Sequence, residues 1–351
     1  MNLEIIKVKQ GSKLRNAIKA MDKGGIGIVF VVDNNDRVKG LITNGDFRRK
    51  VLQGISLDVK VDDVMNINFF SVKTNETEKQ IINIFLSQRI DKLPVIENGN
   101  LKDILNRGDF KLEGKIKLPE VTLDIPVVIM AGGKGTRMKP FTNILPKPLI
   151  PIGERSMLEV IMDEYIKFGF DDFYLTINYK GNLIKAYFED AKSKYNLTYI
   201  EENKFLGTAG ALKLLQINKQ TPIFVSNCDI LIKEDYLSIL DFHRKGKYDL
   251  TLVAAMFNHQ IPYGVCKIKN GGELDEFSEK PEYDYLVNSG MYILNSSVLD
   301  LIPTNEFFHI TQLMEAIREN GGRVGVYPVS EKSWIDVGQW KEYEKAYQNL
   351  G

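Results

Sequence analysis

Residues 127–149, VVIMAGGKGTRMKPFTNILPKPL, constrain the fold more than any other part of this chain. The apolar run predicts a buried strand, and it ends abruptly at Gly132, Gly133 and Gly135. Glycine lets a backbone turn without a Cβ clash, so amide groups can point at phosphate oxygens. Because basic residues follow at once, the stretch indicates either a phosphate-binding loop or an ordinary turn between a strand and a helix.

Strand and helix patterns alternate after this stretch. Apolar segments typical of strands lie at 173–178, 222–227 and 249–256, and helical segments such as SMLEVIMDEYIKFGF and LGTAGALKLLQI stand between them. This alternation predicts an α/β domain with a Rossmann-like, mixed but mostly parallel sheet covered by helices on both faces. Ligands of such sheets bind at the carboxyl ends of the strands, where the glycine stretch should lie.

The first third of the chain contains a weak internal repeat. Leu14, Ile18 and Met21 have the spacing of a buried helical face. An apolar strand pattern follows at 28–32 and recurs at 93–96, each time before hairpin-turn residues, DNND or ENGN. A second helix is expected to start at NGDF in the first copy and at RGDF in the second.

Composition excludes several protein classes. The 351 residues carry 46 basic and 46 acidic side chains, so no bulk charge favours nucleic acid or an anionic membrane. Two cysteines cannot build a disulfide framework or a four-cysteine zinc site. The first residues lack a signal-peptide pattern, and no apolar run approaches the roughly 18 residues of a membrane span. We therefore expect a cytoplasmic protein without nucleic-acid or membrane partners.

The repeat resembles a tandem pair of CBS domains, regulatory modules that often bind adenine nucleotides. The resemblance predicts an α+β module at residues 1–118, with copies at about 1–58 and 59–118. Residues 111–124, KLEGKIKLPEVTLD, are charged and lack a helical period, which indicates a linker. The first copy has the family's nucleotide signature in Thr43 and Asp46, whereas the second has Asn106 and Asp109. The resemblance implies an adenine nucleotide at Thr43, Asp46 and Asp109. Alternatively, each aspartate only occupies a helix's first turn, where an anion is favourable.

The glycine stretch matches neither the Walker motif nor the Rossmann order of glycines. Its full string, AGGKGTRMKPFTNILPKP, resembles the signature of sugar-1-phosphate nucleotidyltransferases. The resemblance covers about residues 124–345 and implies a catalytic domain at 119–351. The reaction implied is attack of a sugar-1-phosphate oxygen on the α-phosphorus of a nucleoside triphosphate, with pyrophosphate leaving. Two anions must meet, so the site has to supply charge neutralisation and positioning.

The resemblance assigns roles to residues of this chain. Catalytic cations are expected at Arg137, Lys147 and Lys280. Triphosphate and base contacts are expected at Ala131, Gly132, Gly133, Gly135, Thr136, Glu202, Gly207 and Thr208. Sugar-phosphate contacts are expected at Gly264, Glu279, Asn288 and Gly290. Asp229 and Asp336 are expected to hold a divalent ion, and hard oxygen ligands beside a polyphosphate favour Mg²⁺. Alone, Asp229 could equally cap a helix.

The identity of the base depends on Glu201 and Glu202. A carboxylate only accepts hydrogen bonds, and guanine offers two adjacent donors, N1–H and N2–H₂. The pair therefore favours GTP over UTP or dTTP, with Glu202 placed nearest the base by its distance from LGTAG. Alternatively, both side chains face solvent at the end of a strand, and in that case they give no reason to prefer GTP.

The fusion of a CBS pair to this catalytic domain resembles the glucosamine-1-phosphate guanylyltransferases of bacterial legionaminic acid synthesis. That resemblance predicts glucosamine-1-phosphate as the acceptor and a homo-oligomer as the assembly. The alternatives are a mannose-1-phosphate guanylyltransferase and a UTP- or dTTP-dependent glucose-1-phosphate enzyme. A glycosyltransferase would carry Asp-x-Asp, but Asn227 stands at the first position. A nucleotide sensor with a decayed catalytic domain would not need the residues that this chain retains.

Overall fold

The computed structural model describes residues 2–88, 90–110, 123–190, 195–218, 221–338, 340 and 342–344. It divides the chain into two compact units, Met1–Lys117 and Leu118–Gly351. Most of the predicted linker, residues 111–122, lies outside the described residues. No helix of the described ranges is long and apolar enough to cross a membrane.

The N-terminal unit contains two related halves. The first half has strands β1 (Lys7–Lys9), β2 (Ile28–Val32) and β3 (Val38–Thr43) and helices α1 (Leu14–Gly24) and α2 (Asn44–Leu52). The second half has helix α3 (Glu78–Gln88) and strands β4 (Lys92–Glu97) and β5 (Asn100–Asn106). The predicted strands, both hairpins and the buried face of the first helix are confirmed. A short 3-10 turn, Arg107–Asp109, stands where the sequence predicted a helix at RGDF.

The two halves of this unit share a core. Ile6, Phe30 and Leu41 of the first half pack with Leu101 and Ile104 of the second. The amide of Val38 also donates to the carbonyl of Gly99 at 2.8 Å. Neither half buries its apolar strand faces alone, which explains why the repeat occurs as a pair.

The C-terminal unit is built on a large sheet that helices cover. The elements up to the middle of the sheet are β6 (Val127–Met130), α4 (Phe141–Ile144), β7 (Pro151–Ile152), β8 (Arg155–Ser156), α5 (Met157–Ile166), β9 (Asp172–Ile177), α6 (Gly181–Asp190), β10 (Asn196–Glu201) and α7 (Gly207–Gly210). The remaining elements are β11 (Pro222–Asn227), β12 (Ile230–Ile232), α8 (Tyr236–Gly246), β13 (Leu250–Gln260), β14 (Val265–Ile268), β15 (Leu274–Ser278), β16 (Glu282–Asn295), α9 (Ile310–Glu319), β17 (Val324–Ser330) and β18 (Trp334–Asp336).

The sheet has seven strands in the order β10-β9-β6-β11-β16-β13-β17. Strand β16 is antiparallel to both of its neighbours, whereas the other neighbouring pairs are parallel. This confirms the predicted α/β class and the mixed, mostly parallel sheet. The segment LGTAGALKLLQI is less helical than expected, because α7 covers four residues and a 3-10 turn, Ala211–Leu214, follows it.

Both faces of the sheet are buried, as the continuous apolar strands require. Val127 and Ile129 of β6 belong to one core cluster, and Val128 between them belongs to the other. Successive side chains of a strand point to opposite faces, so β6 contributes to both cores. Burial on both sides leaves the strand ends as the places where polar groups can gather.

Candidate active site

The candidate active site lies at the carboxyl ends of four neighbouring parallel strands. The chain runs from β6 outward to β9 and β10 and then returns to β11 on the other side of β6. Ligands of open α/β sheets bind where the strand order reverses in this way. The glycine loop follows β6, Asn178 follows β9, Glu202 follows β10, and Asp229 stands just after β11. The sheet therefore gathers residues that are distant in sequence.

Two glycines of the loop are required by close approaches. A Cβ on Gly132 would lie 2.5 Å from Oε1 of Glu202. Gly135 has a φ of 61°, and its Cβ would lie 2.8 Å from Cγ2 of Thr142 and 2.9 Å from Cβ of Lys147. The Thr142 hydroxyl also donates to the carbonyl of Gly135 at 2.9 Å. The loop therefore packs directly against the acid at one end and the lysine at the other.

Lys180 fixes the segment between the glycine loop and Lys147. Its ammonium donates to three successive carbonyls at the end of α4, those of Thr142 at 3.3 Å, Asn143 at 2.6 Å and Ile144 at 2.8 Å. The last carbonyls of a helix lack partners within the helix and carry partial negative charge. A lysine from the turn after β9 therefore ties this segment to the neighbouring strand.

Lys147, Asp229 and Asp336 converge behind the loop. Lys147 and Asp229 are buried, and the ammonium forms an ion pair with Oδ2 of Asp229. Antiparallel pairing of β12 with β18 sets Ile230 opposite Asp336. A Cβ on Gly338 would lie 2.8 Å from Oδ1 of Asp336 and 2.9 Å from Nζ of Lys147. Gly338 therefore leaves the space in which the two acids and the lysine meet.

The charge in this cluster is unbalanced. Burial raises the pKa of Asp336, and the negative charge of Asp229 raises it further, against the hydrogen bond from the Gly338 amide. One ammonium, that of Lys147, faces two carboxylates. Hard oxygen donors with excess negative charge suit Mg²⁺, which commonly binds through one or two carboxylates plus waters and phosphates. The described residues offer no group of three or more His, Cys, Asp or Glu that could hold a metal ion, so substrate and water would complete the coordination.

Glu202 is the acid that faces the cleft. Its side chain is buried, Oε2 accepts the Leu206 amide at 2.9 Å, and burial raises its pKa. Asn178 Nδ2 donates to the Glu202 carbonyl at 2.6 Å, which holds the end of β10 against that of β9. Glu201 instead forms an exposed ion pair with Lys185 at 2.6 Å. The two neighbouring acids therefore have different environments, and of the two only Glu202 lines the cleft that reaches Asp229.

A cleft of about 270 Å³ runs from Glu202 to Asp229. Gly207 in its wall has a φ of 83°, and a Cβ there would lie 2.7 Å from the Phe308 carbonyl. The cleft is lined by Met130, Gly132, Gly133, Gly135, Thr136, Arg137, Lys147, Thr176, Glu202, Phe205, Gly207, Thr208, Asn227, Cys228 and Asp229. The expected triphosphate and base residues are among them except Ala131, which is buried at the end of β6.

Arg137 has a different environment from Lys147. Its side chain is exposed, and although no described acid forms an ion pair with it, its positive charge opposes the raised pKa of Asp336. An unpaired guanidinium at the edge of the cleft is available to an incoming phosphate, because its planar donors suit that geometry.

The expected sugar residues fall into two groups. Asn288 and Gly290 lie on β16, where the Gly290 amide donates to Oδ1 of Asn288 at 2.9 Å. A Cβ on Gly290 would lie 2.6 Å from Nδ2 of Asn227, so this pair adjoins the cleft. The second group lies on the β14–β15 hairpin, where a Cβ on Gly264 would lie 3.0 Å from Oε2 of Glu279.

Lys280 is exposed at the end of this hairpin, with a φ of 46°. Among the described residues Lys280 forms no ion pair with Asp229 or with any other acid.

The CBS signature residues bond to one another. The Thr43 amide and hydroxyl donate to Oδ2 of Asp46 at 2.9 and 2.7 Å, and Arg49 pairs with the same carboxylate. In the second half, Nδ2 of Asn106 donates to Oδ2 of Asp109 at 3.0 Å. In the first half this is a capping box at the start of α2, as the structural alternative predicted. An adenine nucleotide at these residues remains a prediction.

Some residues of the site were not predicted from the sequence. Asn178, Lys180 and Phe205 all act through tertiary contacts that no local motif signals. Gly338 could have been predicted as a site residue, because it lies two residues after the expected metal ligand Asp336 in the segment WIDVG.

A mostly parallel sheet with a glycine loop, a buried lysine and two acids gathered near its strand ends is the arrangement of a nucleotide-binding α/β protein, here preceded by a unit of two related halves. The chain belongs to the nucleotidyl transferase family, whose model matches residues 126–351. The CBS domain model matches residues 1–53 and 61–113, so the N-terminal unit contains CBS domains.

Two curated relatives and one solved structure illustrate the similarity. The chain is 34% identical over 227 residues to a mannose-1-phosphate guanyltransferase of Yarrowia lipolytica, covering 62% of this chain and 61% of the relative. It is 34% identical over 232 residues to that of Saccharomyces cerevisiae, covering 62% of each. The chain thus spans about three fifths of these relatives. The crystal structure of HddC from Yersinia pseudotuberculosis aligns with a TM-score of 0.50 and 25% identity, covering 65% of this chain and all of HddC.

Proposed function

We propose that this protein transfers the guanylyl group of GTP to a sugar-1-phosphate. An oxygen of the sugar phosphate forms a bond to the α-phosphorus, the bond from that phosphorus to the bridging oxygen breaks, and pyrophosphate leaves. The observation that carries the proposal is the single cleft that joins the Gly132–Glu202 contact to the buried Lys147–Asp229 pair. One end suits a base, and the other suits reacting phosphates.

The phosphate end supplies positioning and charge. The amides of the glycine loop and Arg137 would hold the β- and γ-phosphates. Lys147 would draw the acceptor phosphate toward the α-phosphate, with Lys280 approaching from the hairpin. A divalent cation held by Asp229 and Asp336 would stabilise the charge that develops on the phosphoryl oxygens. No protein nucleophile is needed, since the sugar phosphate is itself the nucleophile.

Glu202 supports guanine as the base. A buried acceptor-only carboxylate matches the two adjacent donors of guanine and repels the carbonyl groups of uracil and thymine. The relatives named as guanyltransferases support the same base.

The acceptor has two candidates. The names of the relatives support mannose-1-phosphate, and the comparisons therefore favour this alternative over our first expectation. Two observations support glucosamine-1-phosphate instead: the fusion to CBS domains and the carboxylate of Glu279. A carboxylate near the sugar would attract the ammonium at C2 of glucosamine, whereas it would only accept hydrogen bonds from mannose.

A regulatory ligand is the remaining part of the proposal. An adenine nucleotide at Thr43, Asp46 and Asp109 would have to replace the bonds that these side chains now make to their neighbours. Titration of the full-length protein with AMP, ADP and ATP by calorimetry tests this. Heat from binding that disappears in Asp46→Asn supports it, and absence of binding removes it.

The transferase proposal is tested by a panel of four nucleoside triphosphates against mannose-, glucosamine- and glucose-1-phosphate with Mg²⁺, with pyrophosphate release as the readout. We expect GTP to support release with one of the first two acceptors. Release with UTP or dTTP but not GTP would overturn the base assignment. No release with any pair would overturn the enzymatic role.

A further inference from the structure

Phe205 places an exposed aromatic ring at the edge of the nucleotide cleft. Its side chain is 49% exposed, although it lines the same cleft as Glu202, Gly207 and Thr208. An apolar ring left half in water beside buried polar groups is available to a ligand that presents a flat apolar face.

The segment that carries Phe205 is rigid. Main-chain hydrogen bonds run from the Phe308 amide to the Leu206 carbonyl at 2.9 Å and from the Ala209 amide to the Phe308 carbonyl at 2.9 Å. The missing Cβ of Gly207 allows this approach, since it would lie 2.7 Å from the Phe308 carbonyl. The turn around Phe205 is therefore fixed on the segment before α9.

A second ring supports the first. The Phe307 ring centroid lies 5.8 Å from that of Phe205 with a tilt of 52°, and the His309 ring packs edge-on against Phe307 at 4.6 Å. Tilted aromatic pairs at this separation attract each other. The orientation of Phe205 is thus held by a neighbour as well as by its backbone.

The same short turn supplies an acceptor. Glu202 stands three residues before Phe205, and its carboxylate accepts the amide of Leu206, the residue after Phe205. One turn therefore offers a carboxylate for the edge of a base and a ring for its face. This combination fits a flat heterocycle with adjacent donor groups.

We infer that Phe205 is a nucleotide-binding residue on which the guanine base stacks while Glu202 reads its edge. The inference rests on the proposed guanylyl transfer and adds a residue that strengthens binding of the base through its flat face. Stacking tolerates any base, so Glu202 selects guanine and Phe205 adds affinity.

The test is calorimetry of the full-length protein with GTP and Mg²⁺. Phe205→Ala raises the dissociation constant for GTP by about tenfold or more, the usual range for loss of one base–aromatic stack. Inorganic tripolyphosphate, which has no base, binds the variant and the wild type equally. Phe205→Trp retains GTP binding, and its added fluorescence is quenched by GTP. Phe70→Ala is the matched control, because Phe70 is also 49% exposed but belongs to the N-terminal unit.

Each outcome decides the inference. An unchanged dissociation constant for GTP in Phe205→Ala overturns it and leaves guanylyl transfer intact. Equal losses for GTP and tripolyphosphate also overturn it, because they show that the ring only maintains the cleft. A wild-type protein that binds tripolyphosphate but not GTP overturns the guanine assignment together with the stacking role.

Discussion

The backbone of Gly132 lies against the carboxylate of Glu202, so closely that a Cβ on Gly132 would stand 2.5 Å from Oε1. This contact joins the loop after β6 to the acid after β10, two segments that are 70 residues apart. The loop expected to hold phosphates and the acid expected to read the base therefore share one fixed geometry.

Gly132→Ala should disturb this geometry, whereas Gly133→Ala should not. A Cβ on Gly132 displaces Glu202, but one on Gly133 meets no protein atom within 4 Å. We expect Gly132→Ala to lower the free energy of unfolding of the ligand-free protein by about 1–3 kcal/mol, the usual cost of overpacking, and therefore to lower its melting temperature. Gly133→Ala should melt like the wild type. Equal melting temperatures for all three proteins would show that Glu202 moves freely.

Titration of Glu202 should cause the activity of the protein to fall at acidic pH, which gives its pH–rate profile an acidic limb. Burial raises the pKa of this carboxyl, and only its ionised form accepts two guanine donors. Activity with GTP should therefore fall as pH decreases through a value above the 4.3 or so of an exposed glutamate.

Glu202→Gln provides the control for this limb, since the phosphates of the substrates titrate in both proteins. The kcat/KM of the variant for GTP should be lower by about tenfold or more, as expected for loss of a charged hydrogen-bonding group. Its activity should also depend less on pH in the acidic range than that of the wild type. It should also gain relative activity with UTP or dTTP, because an amide can donate to a base carbonyl. An identical pH profile in the variant would assign the limb to another group.

The two acids of the cluster should differ in their effect on stability. Asp229→Asn removes the acid that forms the ion pair with the buried Lys147 ammonium and leaves only Asp336 near it; loss of such a buried partner typically costs about 3–5 kcal/mol. Asp336 has a raised pKa, so its ionised form is less favourable in the folded protein at neutral pH. Asp336→Asn should therefore leave the metal-free protein as stable as the wild type or more stable.

Both variants should lose at least about 100-fold in turnover, as for removal of one electrostatic stabiliser. Thermal unfolding at pH 7 and at pH 3 measures the stability difference. The gain in Asp336→Asn should shrink at pH 3, where Asp336 is protonated in both states. Equal destabilisation by the two substitutions would contradict this division of roles.

The sequence predicted the class of the fold and most of the residues that line the cleft. Apolar runs and turn residues are local signals, so the predicted strands at 28–32 and 222–227 begin and end at the same residues as the strands of the structure. The sequence placed Glu202 nearest the base, but it did not show that Glu202 is buried while Glu201 is exposed, because burial depends on how β10 meets β9. Lys180 and Phe205 were missed because their partners, α4 and Phe307, come from distant segments.

Lys180 should control the rigidity of the phosphate-binding segment. Lys180→Met removes three hydrogen bonds to the carbonyls at the end of α4. Bonds from charged donors contribute about 1.5–3 kcal/mol, so residues 135–144 should exchange amide hydrogen faster and KM for GTP should rise. Lys245→Met, which loses only an exposed pair with Asp241, is the control. Unchanged exchange in Lys180→Met would show that the segment is held from elsewhere.

The most direct test of the account is identification of the product. The full-length protein is incubated with Mg²⁺, GTP and an equal mixture of mannose-1-phosphate and glucosamine-1-phosphate, and the products are identified by mass spectrometry and ³¹P NMR. The account predicts a GDP-sugar with one pyrophosphate released for each molecule formed, and neither product with Asp229→Asn. Release of inorganic phosphate without a GDP-sugar, or a GDP-sugar formed equally well by Asp229→Asn, would contradict it.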